Sequence, residues 1–208
     1  MRNFLAVMTG LAVMSGSSLA MAHHPMGGTT PNNFMDGLLS GLGHPVIGID
    51  HLAFIVLVGL AAVFLKRKYS APLVFIGGTL AGCLLIASGT VLPYAELIIT
   101  GSVILLGALV MSGRKIPTAV YLVIFAIAGI FHGGAYGEAV IGAEATPLVS
   151  YLAGFTFIQY VIAIGVGLMV ERVWHASEMA ATKPRMAGAV AAGIGVAFFL
   201  ENIESMLF

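Results

Sequence analysis

The sequence predicts an all-α membrane protein: a bundle of six transmembrane helices that follows a cleaved N-terminal signal peptide. Three observations predict it. Of 208 residues, 59% are hydrophobic and only 9% are charged, where soluble domains carry about a quarter charged. Six continuous apolar runs each come near the roughly 20 residues that a helix needs to cross a hydrocarbon core. The basic residues then fall in alternate connections, the pattern that orients membrane proteins. A mean hydropathy of +1.03 agrees. Nine Lys and Arg cancel nine Asp and Glu, so no basic excess is present to neutralise a nucleic acid. The one cysteine, Cys83, rules out an intrachain disulfide framework, a CxxC pair and a Cys-rich zinc site.

The first element is the signal. Arg2 precedes an apolar run over 4–14, followed by Ser15, Gly16, Ser17 and Ser18 and then Ala20-Met21-Ala22. A positive start, a short apolar stretch and an A-x-A site make a secretory signal peptide, and the run is too short to span. Cleavage after Ala22 gives a signal peptide over 1–22, a periplasmic segment over 23–43 and a transmembrane domain over 44–208. The mature chain then starts His23-His24-Pro25-Met26 on the outer side of a bacterial inner membrane.

The spans are expected at 44–65, 71–91, 94–111, 116–131, 147–170 and 186–206. Long unbroken apolar runs indicate helices rather than strands, which would alternate. Pro72, Pro93, Pro117, Pro147 and Pro184 lie near span starts, where a missing backbone N–H costs least. The chain holds 27 glycines, and Gly78-x3-Gly82 and Gly129-x3-Gly133 fit close helix packing. The connections are short, so a single bundle with no soluble domain is expected.

Orientation follows from charge. With the mature N-terminus outside, the connections after spans one, three and five face the cytoplasm. They hold Lys66, Arg67 and Lys68; Arg114 and Lys115; and Arg172, Lys183 and Arg185. With Arg2 in the signal, all nine basic residues fall on one side, and both termini on the other. His23, His24, Asp36, His44, Asp50, His51, Glu96, His132, Glu138, Glu144, Glu201 and Glu204 fall at or near the outer side. Carboxylate and imidazole without basic partners favour metal cations there.

Ionisable groups inside membrane helices are costly and are candidates for function. The densest cluster opens span one: His44-Pro45-Val46-Ile47-Gly48-Ile49-Asp50-His51. In a straight helix His44 and His51 share a face but lie about 10 Å apart along the axis, too far for one ion. Pro45 and Gly48 offer a way to bend or open that turn. Asp50 and His51 point about 100° apart, so both serve one site only in a bundle interior. The second cluster ends span four: Phe131-His132-Gly133-Gly134-Ala135-Tyr136-Gly137-Glu138. Its glycines read as broken or loosely wound helix, which is tolerated where it lines a polar cavity. The candidate ligand set is His44, Asp50, His51, His132 and Glu138, with Glu96 in support. Imidazole mixed with carboxylate suits a borderline transition metal. His23 and His24, with a free amine after cleavage, form a second candidate chelate. Gln159 is a further buried polar group that could line a pathway.

These motifs resemble the HupE/UreJ family. The run HPVIGIDH over 44–51 is similar to that family's HPxxGxDH motif, PYAELIITGSV from Pro93 to its Pro–Glu helix start, and FHGGAYGE from Phe131 to its HGxAHGxE motif. The resemblance covers essentially the whole mature chain. It implies uptake of nickel, in some members cobalt, for hydrogenase and urease maturation, with His44, Asp50, His51, His132 and Glu138 on the metal pathway. One departure is Tyr136, which stands where the motif has a second histidine; a phenol is a poorer ligand for such metals than imidazole.

The expected function is therefore a secondary permease for a divalent transition-metal ion, nickel first and cobalt next, moving it from periplasm to cytoplasm. The alternative is a membrane assembly factor that holds copper or zinc without moving it. No Walker, serine-elbow, HExxH or haem CxxCH sequence occurs, so no enzyme and no ATP hydrolysis is expected. The partners are the lipid bilayer and the ion, with no nucleic acid; whether identical chains associate is left open.

Overall fold

The computed structural model describes residues 29–208. The expected signal peptide and the His23-His24 tip lie outside them. The described residues form seven helices and no strand: α1 (Phe34–Ile47), α2 (Ile49–Ala62), α3 (Ala71–Ala87), α4 (Ala95–Ser112), α5 (Thr118–Glu138), α6 (Ala145–Arg172) and α7 (Thr182–Leu207). Helices α4 to α7 are each long and apolar enough to cross a membrane. The α1–α2 pair passes the same test as a bent span, and α3 is a shorter apolar helix of 17 residues.

The expected first span is divided differently from the reading of 44–65. A helix already starts at Phe34, where the Asn33 side chain accepts the Asp36 backbone N–H at 2.9 Å. That is an N-cap, which satisfies one of the unpaired N–H groups of a helix start, with an acid in the first turn, which is favoured by the positive end of the helix. The helix then stops at Gly48, whose φ of −73° and ψ of 106° are extended. Pro45 lies in the last turn and has no N–H to donate back, which weakens the helix at that point. Helix α2 leaves at 81° to α1.

Helix α2 is the axis of the bundle. Eleven of its fourteen residues are buried, as expected for a helix that is apolar on every side. Around it stand three helix pairs: α1 with α6, α3 with α5, and α4 with α7. Small residues let the backbones meet. A Cβ on Gly78 would sit 3.0 Å from the Cα of Gly129, and one on Gly188 would sit 2.9 Å from the Gly107 carbonyl oxygen. The spaced glycines of α3 and α5 thus make the close crossing their pattern predicts.

The glycines of the second cluster do not unwind the chain. Helix α5 runs unbroken from Thr118 to Glu138, so the broken helix expected there is absent. A Cβ at Gly133 would overlap the Thr79 backbone, and one at Gly137 would come 2.8 Å from the Cys83 carbonyl oxygen. These positions are glycine because α3 presses against them, and the tight packing holds the helix together.

The two ends of the bundle differ in charge. Lys68 pairs with Glu171 at 2.5 Å, the Tyr160 hydroxyl donates to the Tyr69 carbonyl at 3.2 Å, and Arg185 Nε donates to the Met111 carbonyl at 2.9 Å. These contacts gather the α2–α3 connection, both ends of the α6–α7 connection and the end of α4 at one basic end. The histidines of α1, α2 and α5 lie toward the other.

Candidate metal centre

The break at Gly48 builds the site. It turns His44, at the end of α1, toward His51, in the first turn of α2. Their ring centroids are 6.5 Å apart, closer than two turns of straight helix would allow. Both are buried, with 2% and 1% of their surface exposed, and so is Asp50 at 1%. The Asp50 carboxylate accepts the His51 backbone N–H at 2.8 Å. An acid at this position satisfies an unpaired donor and faces the positive end of α2.

Helix α5 supplies the opposite wall. His132 is fully buried, and its Nδ1 lies 2.9 Å from Nδ1 of His51. On its other side Nε2 of His132 lies 3.1 Å from the hydroxyl of Ser102 on α4, which itself donates to the Ile99 carbonyl at 2.6 Å. Phe54 and Phe75 enclose the His132 ring, with centroids at 4.6 and 5.8 Å. One turn on, the Tyr136 ring stands 5.2 Å from His44 and 4.8 Å from His51. Its buried hydroxyl has no hydrogen-bond partner among the described residues.

Helix α6 closes the cluster. The Tyr151 hydroxyl donates to the Tyr136 carbonyl at 2.8 Å and meets Nδ1 of His44 at 2.7 Å. Two turns deeper, Gln159 is buried; its amide donates to the Phe155 carbonyl at 3.0 Å and to Thr79 Oγ1 at 3.4 Å. Its Oε1 is the second buried oxygen with no partner among the described residues.

The structure thus brings together His44, Asp50, His51 and His132. It does not bring the expected carboxylates with them: Glu138 and Glu96 are both exposed, at the end of α5 and the start of α4. Among the described residues no three His, Cys, Asp or Glu side chains are set to hold a metal ion as they stand. Sequence reasoning missed Tyr151 and Ser102. Tyr151 follows Pro147 by one turn and could have been weighed as a polar group in a span. Nothing in the sequence marks Ser102, a single hydroxyl in an apolar run.

An all-helical bundle with imidazoles buried at a helix break defines a multi-pass membrane protein with a polar centre in its apolar interior. The comparisons name its kind. The family model described as HupE / UreJ protein matches residues 11–198. Protein HupE of Rhizobium leguminosarum bv. viciae is 33% identical over 198 residues, which is 93% of this chain and 97% of that protein. The chain belongs to the HupE/UreJ family, whose transport and accessory proteins are associated with nickel and cobalt uptake for hydrogenase and urease. No solved structure matches it.

Proposed function

We propose that the protein is a secondary permease for a divalent transition-metal cation, nickel first and cobalt next, working from the periplasm to the cytoplasm of a bacterial inner membrane. The observation that carries this reading is the burial of His44, Asp50, His51 and His132 around one helix break, where α1, α2 and α5 meet. Neutral imidazole is the ligand form of histidine and suits nickel. The Asp50 carboxylate offsets part of the ion's charge. The exposed Glu96 and Glu138 would gather the hydrated cation ahead of this point, and His23-His24 would add to them.

The basic end supports the direction. Positive charge is retained on the cytoplasmic face, so the imidazole end faces the periplasm and both termini lie there. An inside-negative potential then draws the cation inward by about 2.3 kcal/mol per charge per 100 mV. A site with few ready-made ligands suits passage, since an ion must leave as well as enter.

Uptake of radioactive nickel into vesicles carrying the full chain tests the reading. Replacing Asp50 and His51 together by Ala is expected to reduce uptake to background. Uptake equal to the parent's would reject these residues as the pathway. Stoichiometric nickel, copper or zinc retained without flux would select the holding role instead.

A further inference from the structure

The hydroxyl protons in the cluster can be counted, and the count decides which nitrogen of each imidazole carries hydrogen. A carbonyl oxygen can only accept. The one proton of the Tyr151 hydroxyl therefore goes to the Tyr136 carbonyl at 2.8 Å. The 2.7 Å contact between that hydroxyl and His44 must then be donated by Nδ1–H of His44. The neutral His44 ring carries its lone pair on Nε2.

The same count runs through α4. The one proton of Ser102 goes to the Ile99 carbonyl at 2.6 Å. The 3.1 Å contact with His132 must then be donated by Nε2–H of His132, which leaves the lone pair on Nδ1. That lone pair faces Nδ1 of His51 at 2.9 Å, so His51 donates Nδ1–H to it. The neutral His51 ring, like His44, carries its lone pair on Nε2.

We infer that Ser102 and Tyr151 are positioning residues that set the tautomers of the cluster, so that His44 and His51 present Nε2 to the cation while His132 acts by holding His51. The consequence for the cation rests on the permease reading above; the tautomers themselves do not. A partner on the second ring nitrogen fixes both the tautomer and the plane of a ligand histidine. Here that partner is an oxygen for His44 and another imidazole for His51, and the two are supplied from different helices.

Nitrogen NMR of the full chain, labelled with ¹⁵N-histidine and held in lipid nanodiscs above pH 8, reads the tautomers directly. Single His substitutions assign the rings. The expected spectrum has Nδ1–H at His44 and His51 and Nε2–H at His132. Ser102→Ala is expected to shift the His132 and His51 signals and leave His44 in place, and Ser102→Thr to restore them. Tyr151→Phe is expected to shift His44 alone. Equilibrium dialysis with nickel alone should show affinity weakened about tenfold to a hundredfold in Ser102→Ala and recovered in Ser102→Thr. Nε2–H at His51 in the parent protein overturns the inference, and that measurement needs no variant to fold. Nickel flux with that wrong tautomer would spare the permease reading. The expected tautomers in a parent that neither binds nor moves nickel would sink the permease reading and spare this one.

Discussion

The two ends of the bundle hold their ionisable groups in opposite ways. At the imidazole end, His44, Asp50, His51 and His132 are buried almost completely and the contacts of the three imidazoles run from one element to the next. At the basic end, Lys68 and Glu171 are each one-third exposed, and Lys66, Arg67, Arg114 and Lys115 are exposed. The first end relies on packing to keep polar groups in place, because a buried polar group without partners is costly. The second relies on water, which reaches its charges, the paired Lys68 and Glu171 included. Substitutions should therefore matter greatly at one end and hardly at the other.

The largest effect is expected from the packing that backs the imidazole end. Gly133 follows His132 in the chain, and a Cβ there would overlap the Thr79 backbone. Gly133→Val must push α3 away from α5, at a cost toward the upper end of the about 1–3 kcal/mol typical of overpacking. Gly193→Val is the control, since a Cβ at that position meets open space. The melting temperature in detergent should fall steeply in the first and stay near the parent's in the second. Equal melting temperatures would mean that the α3–α5 crossing is not the rigid wall of the site.

A smaller effect of opposite sign is expected at Tyr136. Its hydroxyl is buried with no partner among the described residues, a state that costs about 1–3 kcal/mol. Tyr136→Phe keeps the ring against His44, His51 and Phe155 and removes the orphan oxygen. The protein should become more stable by about 1 kcal/mol in the absence of metal. If nickel affinity falls in the same variant, the phenol meets the cation or a water that it carries. A loss of stability without metal would show that the hydroxyl is satisfied after all.

This contrast was only half legible in the sequence. The apolar runs, the basic connections and the HPVIGIDH motif follow from composition and order, which act locally, so the helices and the break near Pro45 and Gly48 were readable. The meaning of Gly133 and Gly137 was not. A glycine that frees the backbone and a glycine that admits a neighbour look the same in one chain, and here α3 decides for the second. The helix over 34–43 escaped because its polar start at Asn33 and Asp36 resembles a solvated segment. Tyr151 and Ser102 join the cluster only through folding, from 107 and 30 residues away from their imidazole partners. Glu138 was placed with His132 by closeness in the chain, but six residues of unbroken helix carry it to the exposed end.

The smallest effect is expected at the basic end, and its smallness is what the comparison requires. Glu171 beside Lys68 holds the ammonium above its usual range through a direct hydrogen bond. A raised pKa contributes stability that is complete below the unfolded value and is lost only as pH climbs through the folded one. For lysine both lie above about pH 10, so between pH 6 and 9 this pair cannot make stability vary. The pair is also exposed enough for water and salt to screen it. Lys68→Met should leave the melting temperature near the parent's over that pH range, in low salt and in high salt alike. A marked loss in low salt that vanishes in high salt would show this end to be held by charge as firmly as the other is held by packing. The opposition between the two ends would then fail at the end where it is easiest to measure.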